Sequence, residues 1–211
     1  MRWVLSLMLA LVAGITPLYI ATGGFTVVTA EAARRQSVSQ HPRPIQDAQM
    51  LDENGHVFSL KDALRNDGRV AIVNFFYSRC VSLCLAQGFV TQQLQRTINY
   101  EGLHNRIRLI SISFDPRDQA HELNSYAQGM QADPSLWQFW GVTQNEQRQT
   151  LLKQFGITVV PAPLGDFQHN GAFHVVTPNG RLIQIIDLNE PGLALEVAKA
   201  LATGSSKKEQ P

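Results

Sequence analysis

The sequence predicts a three-layer α/β/α sandwich. Two continuous apolar, β-branched runs, Arg69 to Tyr77 (RVAIVNFFY) and Arg106 to Phe114 (RIRLISISF), read as central strands covered on both faces. Each is followed by a segment of helical composition. Turn signals at Asn54-Gly55 and Pro178-Asn179-Gly180 place a hairpin towards either end. Strands alternating with helices in this order require parallel pairing with helical crossovers.

The elements follow in chain order. After Met1-Arg2, the run from Trp3 to Ala30 holds no ionisable side chain except Tyr19. A bilayer needs about 20 such residues, so residues 1–30 are expected to form a transmembrane anchor. A cleaved signal peptide is the competing reading, since Arg2 gives a basic start and Ala30-Glu31-Ala32 resembles a small-x-small cleavage site. Its apolar core of about 7 to 15 residues would be shorter than this run. Arg34 and Arg35 follow directly, so charge alone does not orient the segment. Export still points to a bacterial inner membrane, with the bulk of the chain in the periplasm or an equivalent extracytoplasmic space. Residues 31–46 are polar and lack an apolar period, as expected of a linker.

Residues 47–202 carry the folded domain. Met50 to Leu60 reads as a hairpin, and Ser82 to Tyr100 as a helix with Gly88 its one weak point. Asp118 to Met130 is a second helix, Leu136 to Gly141 a third, shorter strand, and Gln144 to Phe155 a further helix. Phe173 to Thr177 and Arg181 to Asp187 form the late hairpin, and Pro191 begins the last helix, where its missing amide donor costs nothing. Residues 203–211 (TGSSKKEQP) are expected to be a flexible tail. The order describes a sandwich of the thioredoxin kind with an N-terminal β-hairpin extension.

A formal charge of +1 and 17% charged residues exclude a strongly basic nucleic-acid binder, so no nucleic-acid partner is expected. The chemistry concentrates in Cys80-Val81-Ser82-Leu83-Cys84, which holds both cysteines at the corner where the first central strand turns into its helix. Three meanings are open: a redox pair, a metal clamp or two buried thiols. Residues four apart on a helix share a face, and a helix N-terminus stabilises thiolate, the form that attacks disulfides and binds metal. Arg79 adds a positive charge, and two thiolates make a soft site suited to Cu(I). A structural disulfide is also compatible with a Cα separation of about 6 Å, although so short a loop would constrain the unfolded chain very little.

Six histidines could supply a further ligand: His41 in the linker, His56 in a turn, His104 and His121 near helix ends, and His169 and His174 before or within the late strand. His169 precedes Gly171 in a loop able to approach the cysteine corner, whereas His174 is committed to strand alternation.

At this point the chain resembles the Sco family, also called SenC or PrrC, thioredoxin-like copper proteins of cytochrome c oxidase assembly. The resemblance rests on the apolar N-terminus, the Cys80 to Cys84 pair after a strand, Asp115-Pro116-Arg117-Asp118 after the second strand, and His169 nine residues before the hairpin Pro178. It spans about Gln46 to Ala202. It implies a copper site of Cys80, Cys84 and His169, three-coordinate for Cu(I) and able to take a further ligand for Cu(II), with Asp115 beside it. It implies a membrane-tethered chaperone that passes copper to the copper-site subunit of a respiratory cytochrome c oxidase. The alternative is a thiol-disulfide oxidoreductase in which Cys80 and Cys84 reduce a target's cysteines, such as those of the oxidase copper site. The family's motif has proline after each cysteine, where this chain has Val81 and Leu85, and its acidic turn is one residue longer. Arg117 and Asp118 are expected to cap the next helix. Val160-Pro161-Ala162-Pro163 reads either as a cis-proline loop or as a plain surface loop.

Overall fold

The computed structural model describes residues 2–21, 29–80, 83–163 and 166–206. The chain divides into two units, Met1–His41 and Pro42–Pro211.

In the first unit, α1 runs Arg2–Ala21 and α2 runs Ala30–Gln40. Trp3, Val4, Leu7, Met8, Leu9 and Val12 of α1 are exposed. Among the described residues no helix is long and apolar enough to cross a membrane. The expected span from Trp3 to Ala30 is covered by α1 only as far as Ala21, and residues 22–28 lie outside the described set. The segment expected as a linker is helical across most of its length. Thr29 Oγ1 accepts the Ala32 amide at 3.1 Å, and Glu31 pairs with Arg34 and Arg35 one turn on, each at 2.8 Å. A cap and i,i+3 and i,i+4 ion pairs support a helix without an apolar stripe.

The second unit is built on an eight-stranded sheet. Its strands are β1 (Arg43–Pro44), β2 (Gln49–Asp52), β3 (Val57–Ser59), β4 (Val70–Phe76), β5 (Ile107–Ser113), β6 (Trp137–Val142), β9 (Ala172–Val176) and β10 (Arg181–Asp187), in the order β1-β10-β9-β4-β5-β6-β2-β3. The strands β4, β5 and β6 run parallel, while β9 and β10 on one side and the β2–β3 hairpin on the other are antiparallel. Every residue of β4 and β5 is buried, as expected of central strands, including the polar Asn74, Arg108, Ser111 and Ser113. A separate hairpin pairs β7 (Val159–Pro161) with β8 (Phe167–His169). No described peptide bond is cis, and Pro161 ends an exposed strand.

Helices α4 (Leu83–Tyr100), α5 (Ala120–Gly129) and α7 (Pro191–Ser206) cover one face, and α3 (Leu60–Asp67) and α6 (Asn145–Phe155) the other. The alternation of β4 divides the layers: Phe76 packs on Tyr126 of α5, and Phe75 packs edge-on to Phe155 of α6. Gly88 has a packing reason, because a Cβ there would lie 2.4 Å from Met130 Sδ. The helix α3 was not expected. It is capped by Ser59, whose hydroxyl accepts the Asp62 amide at 3.1 Å, and stopped by Gly68 at φ +77°. At the other end α7 continues to Ser206, into the segment expected as a tail.

Candidate metal centre

The cysteine corner begins where β4 stops. Tyr77, Ser78, Arg79 and Cys80 make a turn closed by the Cys80 amide donating to Tyr77 O at 3.3 Å, and Cys80 is 7% exposed. Cys84 falls in the first turn of α4, and its side chain, like all of Val81 and Ser82, lies outside the described residues.

Two aspartates from the turn after β5 hold this corner in place. Asp118, 4% exposed, accepts the Ser78 amide at 2.8 Å and the Ser78 and Ser113 hydroxyls at 2.5 Å each. It does not cap the next helix as expected. The position before α5 is Gln119, whose amide donates to Glu122 Oε2 at 3.0 Å. The Asp115 side chain is fully buried. It accepts from Arg79 Nη2 at 2.5 Å, from Arg117 Nη2 at 2.8 Å and from the Arg117 amide at 2.9 Å. Burial alone would raise its pKa, but the hydrogen bonds from Arg117 and Arg79 outweigh it and hold the carboxyl below its ordinary value. Asp115 therefore fixes Arg79, the residue next to Cys80.

That arrangement carries a pH dependence. A carboxyl whose folded pKa lies below its unfolded value near 3.8 contributes stability that is complete above that value and lost as pH falls through the folded one. Urea unfolding of the parent and Asp115→Asn should thus show a stability difference at pH 6 that shrinks by pH 3. A difference independent of pH would refute the assignment.

The histidine side is built by the small hairpin. His169 is the last residue of β8, so it stands at a strand end and not in an open loop. Its ring is half-buried, with centroid distances of 4.9 Å to Phe114 and 6.1 Å to Tyr77. Burial lowers its pKa, which favours the neutral, ligand-competent imidazole at pH 7. Nδ1 lies 2.9 Å from Asn170 O; in the tautomer that donates there, Nε2 carries the lone pair, the usual arrangement of a metal-binding histidine.

Tyr77 links the two sides. Its hydroxyl donates to the Asp166 carboxylate, lies 3.2 Å from Phe167 O and interacts with Cys80. Burial first, then the bonds to Asp166 and Cys80, push the phenol above its ordinary pKa, so it keeps its proton. Neither Tyr77 nor the Ser78–Asp118 pair was singled out in the sequence; an FFYS strand end offers no periodic signal for them.

The other histidines stand apart from this geometry. His174 is fully buried, with Nε2 2.9 Å from Phe155 O and Nδ1 3.2 Å from Val73 O, a core strand residue as expected. His41, His56 and His104 are exposed, and His56 pairs with Asp52 at 3.1 Å. His121 lines a cavity of about 440 Å³ beside Cys80, together with Ser78, Leu85, Tyr126 and Met130. Leu85, which the resemblance sets against a proline, thus forms part of that wall. Among the described residues no group of three or more histidine, cysteine or acidic side chains could hold a metal ion. The expected trio includes the Cys84 side chain, which is not among them.

A family model described as SCO1/SenC matches residues 37–203. No curated protein sequence matches the chain. A SCO1/SenC family lipoprotein from Bacillus anthracis str. Ames is 23% identical with a TM-score of 0.67, covering 77% of this chain and 98% of that one. BsSco, described as a member of the Sco family of cytochrome c oxidase assembly proteins with a disulfide switch, is 22% identical with a TM-score of 0.65, covering 77% and 95%. Yeast Sco1 with copper bound is 17% identical with a TM-score of 0.59, covering 81% and 96%. At these identities the structural likeness establishes the fold, a thioredoxin-like sandwich.

Proposed function

The chain belongs to the SCO1/SenC family, and from that premise we propose that it is a copper-binding assembly protein. It takes up copper through Cys80, Cys84 and His169 and passes it by ligand exchange to the copper-site subunit of a cytochrome c oxidase. The observation that carries this reading is the meeting of the cysteine turn and the His169 strand around one side chain, Tyr77. Two thiolates and one neutral imidazole suit Cu(I), and Cu(II) would take a further ligand. Copper bound to yeast Sco1 and the oxidase-assembly role given for BsSco support the same reading. The apolar N-terminal segment, with its exposed side chains on α1, would keep the protein at a membrane, in the compartment where the oxidase copper site is loaded.

A second reading is favoured by the cavity beside Cys80 and by the disulfide switch named for BsSco. There, a thiolate of the pair attacks a target disulfide, forms a mixed disulfide and releases one target thiolate. The second cysteine then resolves it, leaving Cys80 and Cys84 oxidised and the target reduced. The two roles exclude each other at any one moment, because oxidation removes both thiolate ligands.

Anaerobic Cu(I) titration of the full reduced chain should give about one copper per chain, and prior oxidation of the pair should abolish that binding. Absence of binding by the reduced chain would sink the copper reading. If that chain still reduced a target disulfide, the second reading would replace it.

A further inference from the structure

Cys80 and His169 reach the site from two different sheets. Cys80 follows β4 in the main sheet, whereas β8, which ends at His169, pairs with β7. Three residues after His169 the chain enters the main sheet again at Ala172, and that fixes where β8 ends. It does not fix the direction from which β8 arrives. Asn170 ties the end of the hairpin to its own far side, through Gly156 O at 2.9 Å and the Thr158 amide at 2.7 Å. Among the described residues, Tyr77 ties the hairpin to the cysteine strand.

This residue acts on both sides at once. Its carbonyl accepts the Cys80 amide and closes the turn that presents the sulfur. Its hydroxyl donates to Asp166 and faces Phe167 O, at the start of β8. Its ring packs edge-on to Phe167 at 5.3 Å and to His169 at 6.1 Å. We infer that Tyr77 is a positioning residue that seats His169 against the cysteine turn, its main chain holding Cys80 and its side chain holding the strand that carries the imidazole. The β4–β9 ladder and the packing of Phe114 on Phe167 and His169 bring the hairpin near the cysteine turn, and the Tyr77 hydroxyl adds the hydrogen bond that sets the approach of β8. This extends the copper-site reading above, on which it rests for its effect on metal but not for its effect on the hairpin.

The variant Tyr77→Phe keeps the ring and removes the hydroxyl. In the metal-free full chain, the amides of residues 167–169 should exchange with solvent about tenfold faster, while those of β4 and β5 stay as protected as in the parent. Copper should leave the variant about tenfold faster, and the same substitution made in a His169→Ala background should change copper release no further. Asp166→Ala should reproduce both effects. Unchanged exchange at 167–169, faster exchange throughout β4 and β5, or equal weakening of copper binding with and without His169 would each overturn the assignment. Faster exchange confined to 167–169 in a chain that binds no copper in any form would uphold the seating role and remove the copper function instead.

Discussion

Replacing Asp118 by alanine should destabilise the second unit by about 3 kcal/mol, the effect of stranding buried donors that a charged acceptor had satisfied. The carboxylate collects the Ser78 amide and hydroxyl and the Ser113 hydroxyl. A hydroxyl can turn towards another acceptor, but the Ser78 amide is fixed by the chain. Ser78→Ala removes one donor and leaves the amide bonded, so it should cost about 1 kcal/mol. Urea unfolding of the full chain at neutral pH, followed on the transition of the second unit, compares the two. A loss below about 1 kcal/mol for Asp118→Ala would mean that the corner is held by the strand and helix alone. The result bears on function because Ser78 lies two residues before Cys80 in the turn that presents it. A loosened turn should also lower copper affinity, which Ser113→Ala, acting on the far side of Asp118, should do much less.

The central strands were legible because their residues are buried on both faces, and a continuous apolar run is the direct image of that environment. Gly55 and Gly180, both at positive φ, made the two hairpins equally plain. What escaped was held together by side chains. The eight-residue α3 buries Leu60 and Leu64, too short a stripe to show a period, although its Ser59 cap and Gly68 stop stand in the sequence. The β7–β8 hairpin contains Pro161 and lies next to Pro163, which read as loop. The α2 segment has ion pairs where a period was sought. At the site, the choice of His169 over His174 came from its place in the chain and from the family pattern. In the structure His174 is a core residue, with its ring nitrogens 2.9 Å from Phe155 O and 3.2 Å from Val73 O, while the His169 ring lies 6.1 Å from that of Tyr77 at the start of the cysteine turn. Asp115 was expected only as a neighbour of the site; its partner Arg117 stands two residues on, whereas Arg79 comes from 36 positions away in the chain and is brought to it by the fold.

Cys80→Ser should weaken Cu(I) binding on the order of a thousandfold, whereas His169→Ala should weaken it about tenfold to a hundredfold, because a soft thiolate contributes more to Cu(I) than an imidazole does. Serine keeps the shape of the corner but offers a hard oxygen that stays protonated at neutral pH, so one of the two strong ligands is lost. Alanine at position 169 would leave the two thiolates of the proposed site, which should still hold Cu(I) as a pair. For Cu(II), Cys80→Ser should weaken and shift the coloured thiolate-to-copper transition, because one of the two thiolates is gone, and His169→Ala should shift it less, because both thiolates remain. The control is His174→Ala. It empties a core position between β9 and α6, so it should lower the unfolding midpoint while leaving copper binding by the folded fraction unchanged. Competition titration against a Cu(I) chelator, on chains whose folded fraction has been measured, separates these outcomes. Equal losses for His169→Ala and His174→Ala would show that the late strand acts on copper only through stability. In that event the two-cysteine corner alone would be the binding site.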